Sequence, residues 1–528
     1  MKTIDMGYNI LKSFHGMDVI WLLDQWVERQ PDKTFVIWAP FEGEERRWTY
    51  AELAGYAKQF GAGLHARGVR SGDFVLIHSN NSPYFLTAWF GCAYVGAVPV
   101  TINIRSVAEN IKYFAEVMEP VYVITQPHFA RMVQKACGKG PKMIVTGEAT
   151  NEDEMKGVDA ESFTSVFSDM PLPALPPDPK KNFAVQFTSG TTSRPKPTVW
   201  TNANALWGSK SMSMNLRLRR DDVTLINMPL FHANAQITLL TALWSGGTIV
   251  VHPRFSASRF WDACAKYGVT WISMIPFAFK ALKGRPVPKH KVRLLVGLER
   301  LPEAEKEFGA KTLAFWGMTE TVTACIITDA DISGPAGTMG RPTPFYGVEV
   351  RKKDGTPAKP GEEGRLYIRG EKGVTLFKEY YKHPEATQKA FDESGALDTG
   401  DLVRIDKDGW MYFVNREKDM LRVGGENVAA LEIEQAIFET GYVLECAVVA
   451  QKHYMLGDVP AAFISLTESG KAQNIEELKD KIVSHCRKQL ADFKVPRSVH
   501  IVDDFPRSTL DRIAKSKLRE QLPSIESD

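Results

Sequence analysis

NFAVQFTSGTTSRPKP, residues 182–197, decides how the rest of the chain is read. Its first half is a short apolar run of the kind that forms a buried strand. Its second half is a turn of small hydroxyl residues with one glycine, followed by the basic pair Arg194 and Lys196. Polyphosphate binding needs backbone N–H groups that can approach closely, hydroxyls that donate, and a cation for the outer charge. Ser189, Gly190, Thr191 and Thr192 offer the first two, and Lys196 the third. By residue type alone, a polar surface turn fits these letters as well as a phosphate cradle does. The spacing is not G-x-x-x-x-G-K-[ST], so a Walker-type NTPase is disfavoured.

Outward from this strand, helical and extended patterns alternate. TYAELAGYAKQFGAGLHARG carries apolar residues at helical spacing and ends at Gly68; DFVLIHS follows as a buried strand. PYFLTAWFGCAYVGAVPV reads as a helix running into a strand, and VYVIT, KMIVTG, TIVVH and TWISMIP are further strands. The alternation predicts α/β layers around largely parallel sheets. The Pro-rich stretch 171–181 reads as an exposed connection into the strand at 182. Beyond Asn415–Asp419 the texture changes to CAVVAQ, AAFISLT, SVHIVDD and the amphipathic IEELKDKIVSHCRKQL. That pattern predicts a small α+β unit of about 110 residues.

Composition narrows the function classes. With 528 residues the chain exceeds one ordinary domain; 44% hydrophobic and 24% charged residues suit a soluble globular protein. A net charge of +2, with no basic block, argues against nucleic acid as the main partner. Six scattered cysteines form no C-x-x-C pair, which suits a reducing compartment. No apolar run reaches the roughly 20 residues of a membrane span, and the first residues make a poor signal peptide, so a cytoplasmic location is expected. None of the eleven histidines stands in H-E-x-x-H or beside a Cys pair. No heptad dictates an oligomer.

FTSGTTSRPK resembles the signature loop of the AMP-forming, adenylate-forming superfamily: acyl-CoA synthetases, peptide-synthetase adenylation domains and beetle luciferases. Further motifs of that family stand here in order: PLFHANAQ (229–236), FWGMTE (315–320), GRP (340–342), DTGDL (398–402) and NREKDMLRVGGENVAALEIE (415–434). The resemblance runs from WTYAEL to KLRE, almost the whole chain. It implies a large amino-terminal adenylation domain, 1–416, and a mobile carboxyl-terminal domain, 417–528, that rotates about a hinge near Lys418 between two half-reactions. It implies ATP, Mg²⁺ and coenzyme A as the small molecules used. Thr188 and the loop residues Ser189 to Thr192 would cradle phosphate, with Lys196 as their cation. Trp316 would stack on adenine, Thr319 would contact the α-phosphate, and Glu320 would hold Mg²⁺, a hard cation that favours carboxylate ligands. Asp401 would accept the ribose hydroxyls with Arg416 nearby; His232 would line the route to the acyl site; Gly424 and Gly425 would admit the pantetheine arm.

One departure matters for rate. The family ends with P-R-T-x-x-G-K-I-x-K-x-x-L-R, whereas this chain reads PRSTLDRIAKSKLR, residues 506–519. Arg512 occupies the catalytic lysine position and Asp511 replaces glycine. A planar fixed charge is not a compact flexible ammonium, so slowed adenylation with an intact thioester step is expected. Ser193 and Pro197 depart from two family glycines, and Pro197 removes a backbone donor.

TSGTTSRPK, FKEYYKHPEAT and GGENV look most like the crotonobetaine/carnitine–CoA ligase branch, which implies a short polar or quaternary-ammonium acid. Trp207, Phe231 and Trp244 are candidate aromatic faces for such a cation. The reading is an acid–CoA ligase working through an acyl-AMP. The alternatives are an adenylating enzyme with another acceptor, and a degenerate homologue that binds nucleotide or acyl-CoA with impaired turnover.

Overall fold

Two large sheets share one layer of buried helices. The computed structural model describes residues 10–147, 152–188, 195–344, 346–416, 419–423, 426–490, 492–507 and 513–525. One sheet holds nine strands in the order Arg341–Pro342, Ile326–Ile327, Lys311–Trp316, Leu294–Gly297, Trp271–Ser273, Val223–Ile226, Thr248–Val251, Thr34–Trp38 and Arg46–Thr49. Its middle is parallel and both ends are antiparallel. The second sheet holds eight strands: Glu379–Tyr380, Lys196–Thr201, Asn182–Thr188, Val98–Thr101, Phe74–His78, Tyr122–Thr125, Lys142–Val145 and Glu161–Ser162. All five residues of Phe74–His78 are buried, as a strand covered by helices on both faces requires.

The helix starts and stops are written locally. Thr49 caps Tyr50–Ala66 and exchanges hydrogen bonds with Glu52, a capping box that satisfies two otherwise orphaned N–H groups. Ser82 caps Pro83–Val95, and Gly96 ends it in the left-handed conformation. These two helices cross at Gly61 and Gly91, where a Cβ on Gly61 would sit 2.7 Å from the Gly91 carbonyl. Asn202–Asn215 and Ala233–Ser245 are buried almost all round. A helix wrapped that way lies between two sheets rather than on a surface. The shared core joins Phe35, Val36, Ile249 and Val251 of one sheet to Val75, Ile77, Tyr122 and Ile124 of the other.

A third sheet, Gly347–Arg351, Glu363–Arg369, Leu397–Ile405 and Met411–Arg416, is antiparallel throughout. The sequence did not announce it, because its strands alternate between buried and half-exposed positions and carry many charges. Arg365 pairs with Asp398 at 2.6 Å and Arg351 with Asp392 at 2.5 Å across its neighbours. The carboxyl-terminal segment has a fourth sheet, built on the hairpin Val443–His453 and Gly457–Leu466, with the helix Ile475–Gln489 packed on it. Its two apolar clusters draw only on residues from Leu421 onward. The stretch 171–181 carries no regular structure and is mostly exposed.

Candidate active site

Three strands present one polar face. Asn182–Thr188 and Lys196–Thr201 run antiparallel with Thr188 opposite Lys196 and Gln186 opposite Thr198; Tyr380 lies opposite Thr198 on the other side. Side chains alternate along a strand and directly opposed residues share a face, so Gln186, Thr188, Lys196, Thr198 and Tyr380 stand together. Val185 and Phe187 take the reverse face and pack into apolar core with Ile111 and Phe114.

That polar face meets the turn after Lys311–Trp316. Glu320 is only 4% exposed, and its Oε1 accepts the Thr188 hydroxyl at 3.2 Å and the Tyr380 hydroxyl at 2.8 Å. Thr188 and Thr198 share a hydroxyl hydrogen bond of 3.2 Å. The Lys196 ammonium sits 4.6 Å from the centre of the Tyr380 ring. A buried carboxylate would be costly alone; two hydroxyl donors answer it. Burial, then the charge on Glu320, pushes the Tyr380 phenol far up, so its proton stays and donates.

The backbone around Glu320 is tightly specified. A Cβ at Gly317 would lie 2.6 Å from the Thr323 carbonyl, so the middle of FWGMTE has no room for a side chain. Val322 adopts φ +65° and ψ −50°, the strained centre of a γ-turn closed by Thr323 N donating to the Thr321 carbonyl at 2.6 Å, at a cost of about 1–3 kcal/mol. Surrounding bonds hold it there: the Thr321 hydroxyl accepts from Met318 N at 2.9 Å, Tyr346 donates to the Thr321 carbonyl at 2.8 Å, and Trp200 Nε1 donates to the Thr319 carbonyl at 2.8 Å. Thr319 and Glu320 therefore stand on a backbone fixed from several sides.

The same hexapeptide reaches the second motif. Trp316 Nε1 donates to Asp401 Oδ2 at 2.9 Å, and both residues are 3% exposed. Asp401 lies directly opposite Arg416 across the antiparallel pair Leu397–Ile405 and Met411–Arg416. Period-two pairing thus puts the expected ribose carboxylate and its arginine in register. Thr188 and Asp401 thus reach the two ends of FWGMTE, at Glu320 and Trp316.

His232 takes the cap position of the helix Ala233–Ser245 without a side-chain cap bond. Its segment is pinned instead by buried amides. Asn81 accepts from Leu230 N at 2.7 Å and donates to the Met228 and His252 carbonyls; Gln236 donates to Thr101 at 2.9 Å and to the Leu230 carbonyl at 3.0 Å. Gln186 donates to Gln236, which ties the histidine's helix to the strand that ends at Thr188. Trp207 donates to Tyr346 at 3.2 Å, and Trp207 and Phe231 are buried.

Ser189, Gly190, Thr191, Thr192, Lys418, Gly424, Gly425, Asp511 and Arg512 lie outside the described residues. The sequence reading missed Tyr380, Thr198 and Gln186 as members of this face. Thr198, two positions past Lys196, was available from strand period; Tyr380 was not, because its strand has only two residues. A separate cleft of about 1000 Å³, lined by Trp38, Trp48, Tyr84, Gln126, His128 and Arg254 among others, contains none of the motif residues. Cavity size does not mark the chemistry here; the interlocked carboxylate, hydroxyls and ammonium do.

Known proteins bear on this arrangement. A family described as AMP-binding enzyme matches residues 23–381, and one described as AMP-binding enzyme C-terminal domain matches residues 432–511. The chain is similar to a crotonobetaine/carnitine–CoA ligase from Salmonella paratyphi A, 32% identical over 527 residues, spanning 96% of this chain and 99% of that one. A crotonobetaine/carnitine–CoA ligase from Proteus mirabilis is 31% identical over 513 residues, spanning 94% and 98%. Among solved structures, an anthranilate CoA ligase in complex with anthranoyl-AMP superposes with a TM-score of 0.84 at 25% identity, covering 96% of this chain and 97% of that chain. ATP-bound MatB from Rhodopseudomonas palustris superposes at 0.80 and 25% identity, covering 96% and 99%.

Proposed function

The chain belongs to the AMP-binding enzyme family, and from that premise we propose how its residues perform the work of an ATP-dependent acid–CoA ligase. In the first half-reaction a carboxylate oxygen attacks the α-phosphorus of ATP and the bond to pyrophosphate breaks. In the second, the CoA sulfur attacks the acyl carbon and AMP leaves. One observation carries the residue assignments: the phosphate-side group Thr188–Glu320 and the ribose-side group Trp316–Asp401 meet on a single six-residue turn.

In this reading Lys196 and the loop 189–192 neutralise and cradle the phosphates, and Thr319 donates to the α-phosphate. Asp401 accepts the ribose hydroxyls beside Arg416, and Trp316 borders the adenine. Arg512 takes the role of the family's catalytic lysine toward the reacting carboxylate and α-phosphate, and His232 lines the acyl route. Gly424 and Gly425 pass the pantetheine arm. Glu320 with neighbouring hydroxyls is a set of hard oxygen donors and suits Mg²⁺. No cluster of three or more His, Cys, Asp or Glu exists among the described residues. Bound there, Mg²⁺ supplies neutralising charge to the polyphosphate. Preorganised charge of this kind is the main source of rate in phosphoryl and nucleotidyl transfer.

We divide the chain at 416/417, with 417–528 as the mobile unit. The separate apolar clusters beyond Leu421 support this, since a piece with its own core can rotate whole. A short polar acid, with crotonobetaine and carnitine as the leading cases, is the proposed substrate; full-length similarity to ligases of those acids supports it. We place the protein in the cytosol, a reading its unpaired cysteines support. No helix among the described residues is long and apolar enough to cross a membrane.

Incubation with ATP, Mg²⁺, CoA and an acid panel, followed by mass spectrometry, tests the reading. AMP and one acyl-CoA should rise together. Nucleotide binding without AMP release from any acid would favour the degenerate-homologue alternative.

A further inference from the structure

We propose that Tyr380 is a positioning residue that sets both the carboxylate of Glu320 and the ammonium of Lys196 for the phosphates; the idea rests on the roles proposed above for those two side chains. Tyr380 lies in FKEYYKHPEAT, a segment given no role at the nucleotide, yet it touches two residues that were given one. Its hydroxyl donates to Glu320 Oε1 at 2.8 Å, and its ring lies 4.6 Å from the Lys196 ammonium.

The Glu320 side of the argument is geometric. Both described donors, Thr188 and Tyr380, address the same oxygen, Oε1. Two hydroxyls on one oxygen fix the carboxylate's rotation and leave Oε2 as the oxygen to offer a cation. The segment carrying Tyr380 is also fastened to the Glu320 backbone, since Phe377 N donates to the Glu320 carbonyl at 2.8 Å. The Phe377 and Tyr380 rings lie 4.7 Å apart, and Tyr380 N donates to the Thr387 hydroxyl at 2.9 Å.

The Lys196 side is a matter of charge. A carboxylate partner would orient the ammonium but cancel the charge that a phosphate needs. An aromatic face attracts the cation through its quadrupole and leaves its N–H donors available. Tyr380 thereby holds a cation and an anion in fixed relation without neutralising either.

Tyr380→Phe removes only the hydroxyl; Tyr380→Leu removes the ring face as well. ATP binding is measured by calorimetry with Mg²⁺ and with EDTA, beside a thermal unfolding curve for each variant. In Tyr380→Phe the gain in ATP affinity that Mg²⁺ confers should shrink roughly tenfold while affinity in EDTA stays at the wild-type value, as loss of a hydrogen bond to a charged group implies. Tyr380→Leu should in addition lose about threefold in EDTA. Glu320→Gln serves as the reference and should lose the Mg²⁺ gain altogether. A wild-type Mg²⁺ gain in Tyr380→Phe, with Glu320→Gln defective, overturns the role of Tyr380 alone. Equal losses with and without Mg²⁺ in Tyr380→Phe also overturn it, because a merely structural residue would behave that way. An intact Mg²⁺ gain in Glu320→Gln overturns the metal assignment on which the proposal stands.

Discussion

The rim around FWGMTE and the carboxyl-terminal segment beyond Leu421 are stabilised in opposite ways. At the rim, buried polar groups from the second sheet, the third sheet and the turn after Lys311–Trp316 answer one another across 60 to 132 residues of sequence. The carboxyl-terminal segment closes on itself. Lys515 and Glu434 form an internal ion pair of 2.7 Å, and Arg507 meets Glu445 at 2.7 Å. Burial alone would lower the Lys515 ammonium, but the charges of Glu434 and Asp419 outweigh it and raise it. Its contact with the rest includes Lys280, which rests on the Phe438 ring and whose amine is lowered to about 8, chiefly by burial. The contrast teaches a difference in build: the rim is held by long-range polar contacts between separate sheets, while the carboxyl-terminal segment has apolar clusters of its own, which suits the division of labour proposed above.

The strongest way to break that contrast is Glu320→Gln. Adenylation, followed as pyrophosphate exchange, should fall by about 10²–10³-fold. Thioester formation from a supplied acyl-adenylate should change by no more than a few-fold. Equal loss in both assays would erase the distinction.

Acid sharpens the comparison next. Burial lowers His78 to about 4 in the folded protein, against 6.5 in the unfolded chain. The unfolded chain therefore takes up the proton first: stability is full above pH 6.5 and is lost as pH falls toward 4. At pH 5 the loss is roughly 2 kcal/mol. All 12 tryptophans lie at or before Trp410, so intrinsic fluorescence reports the larger part of the chain alone. Its unfolding midpoint in urea should drop between pH 6.5 and 5, and His78→Phe should shrink the drop by about half, because burial lowers His252 to about 4 as well.

Arg512→Lys restores the family's flexible ammonium. Pyrophosphate exchange should rise about tenfold, with thioester formation from acyl-adenylate unchanged. No gain would show that Arg512 does not limit the first half-reaction. Smallest is Trp316→Phe, which keeps an aromatic face but removes the N–H that orients Asp401. The KM for ATP should rise about fivefold, with less change for 2′-deoxy-ATP, because Asp401 keeps its charge and its place and loses only the donor that orients it.

The parallel layers were legible because strands buried on both faces read as apolar runs, as DFVLIHS does, and because Thr49 and Glu52 spell their own cap. The carboxyl-terminal α+β texture was equally plain from Val443–His453 and Ile475–Gln489. The antiparallel sheet from Gly347 to Arg416 was not, since its charged, half-exposed strands carry no clean apolar period. Motif matching led to Thr188, Lys196, Glu320 and Asp401 as candidates, but could not show that they meet on one turn. Thr188 and Glu320 are 132 residues apart, and Tyr380 sits 60 beyond Glu320. No local pattern encodes contacts of that range; only the register of three strands does.

The central claim is that the acid is activated as its adenylate. With the acid turned over fastest in the panel, labelled with ¹⁸O in both carboxylate oxygens, the AMP released during acyl-CoA synthesis is analysed by mass spectrometry. The account predicts one ¹⁸O atom in each AMP, because the attacking carboxylate oxygen stays on the α-phosphorus when the thioester forms. AMP free of label, or label appearing in orthophosphate, would contradict it.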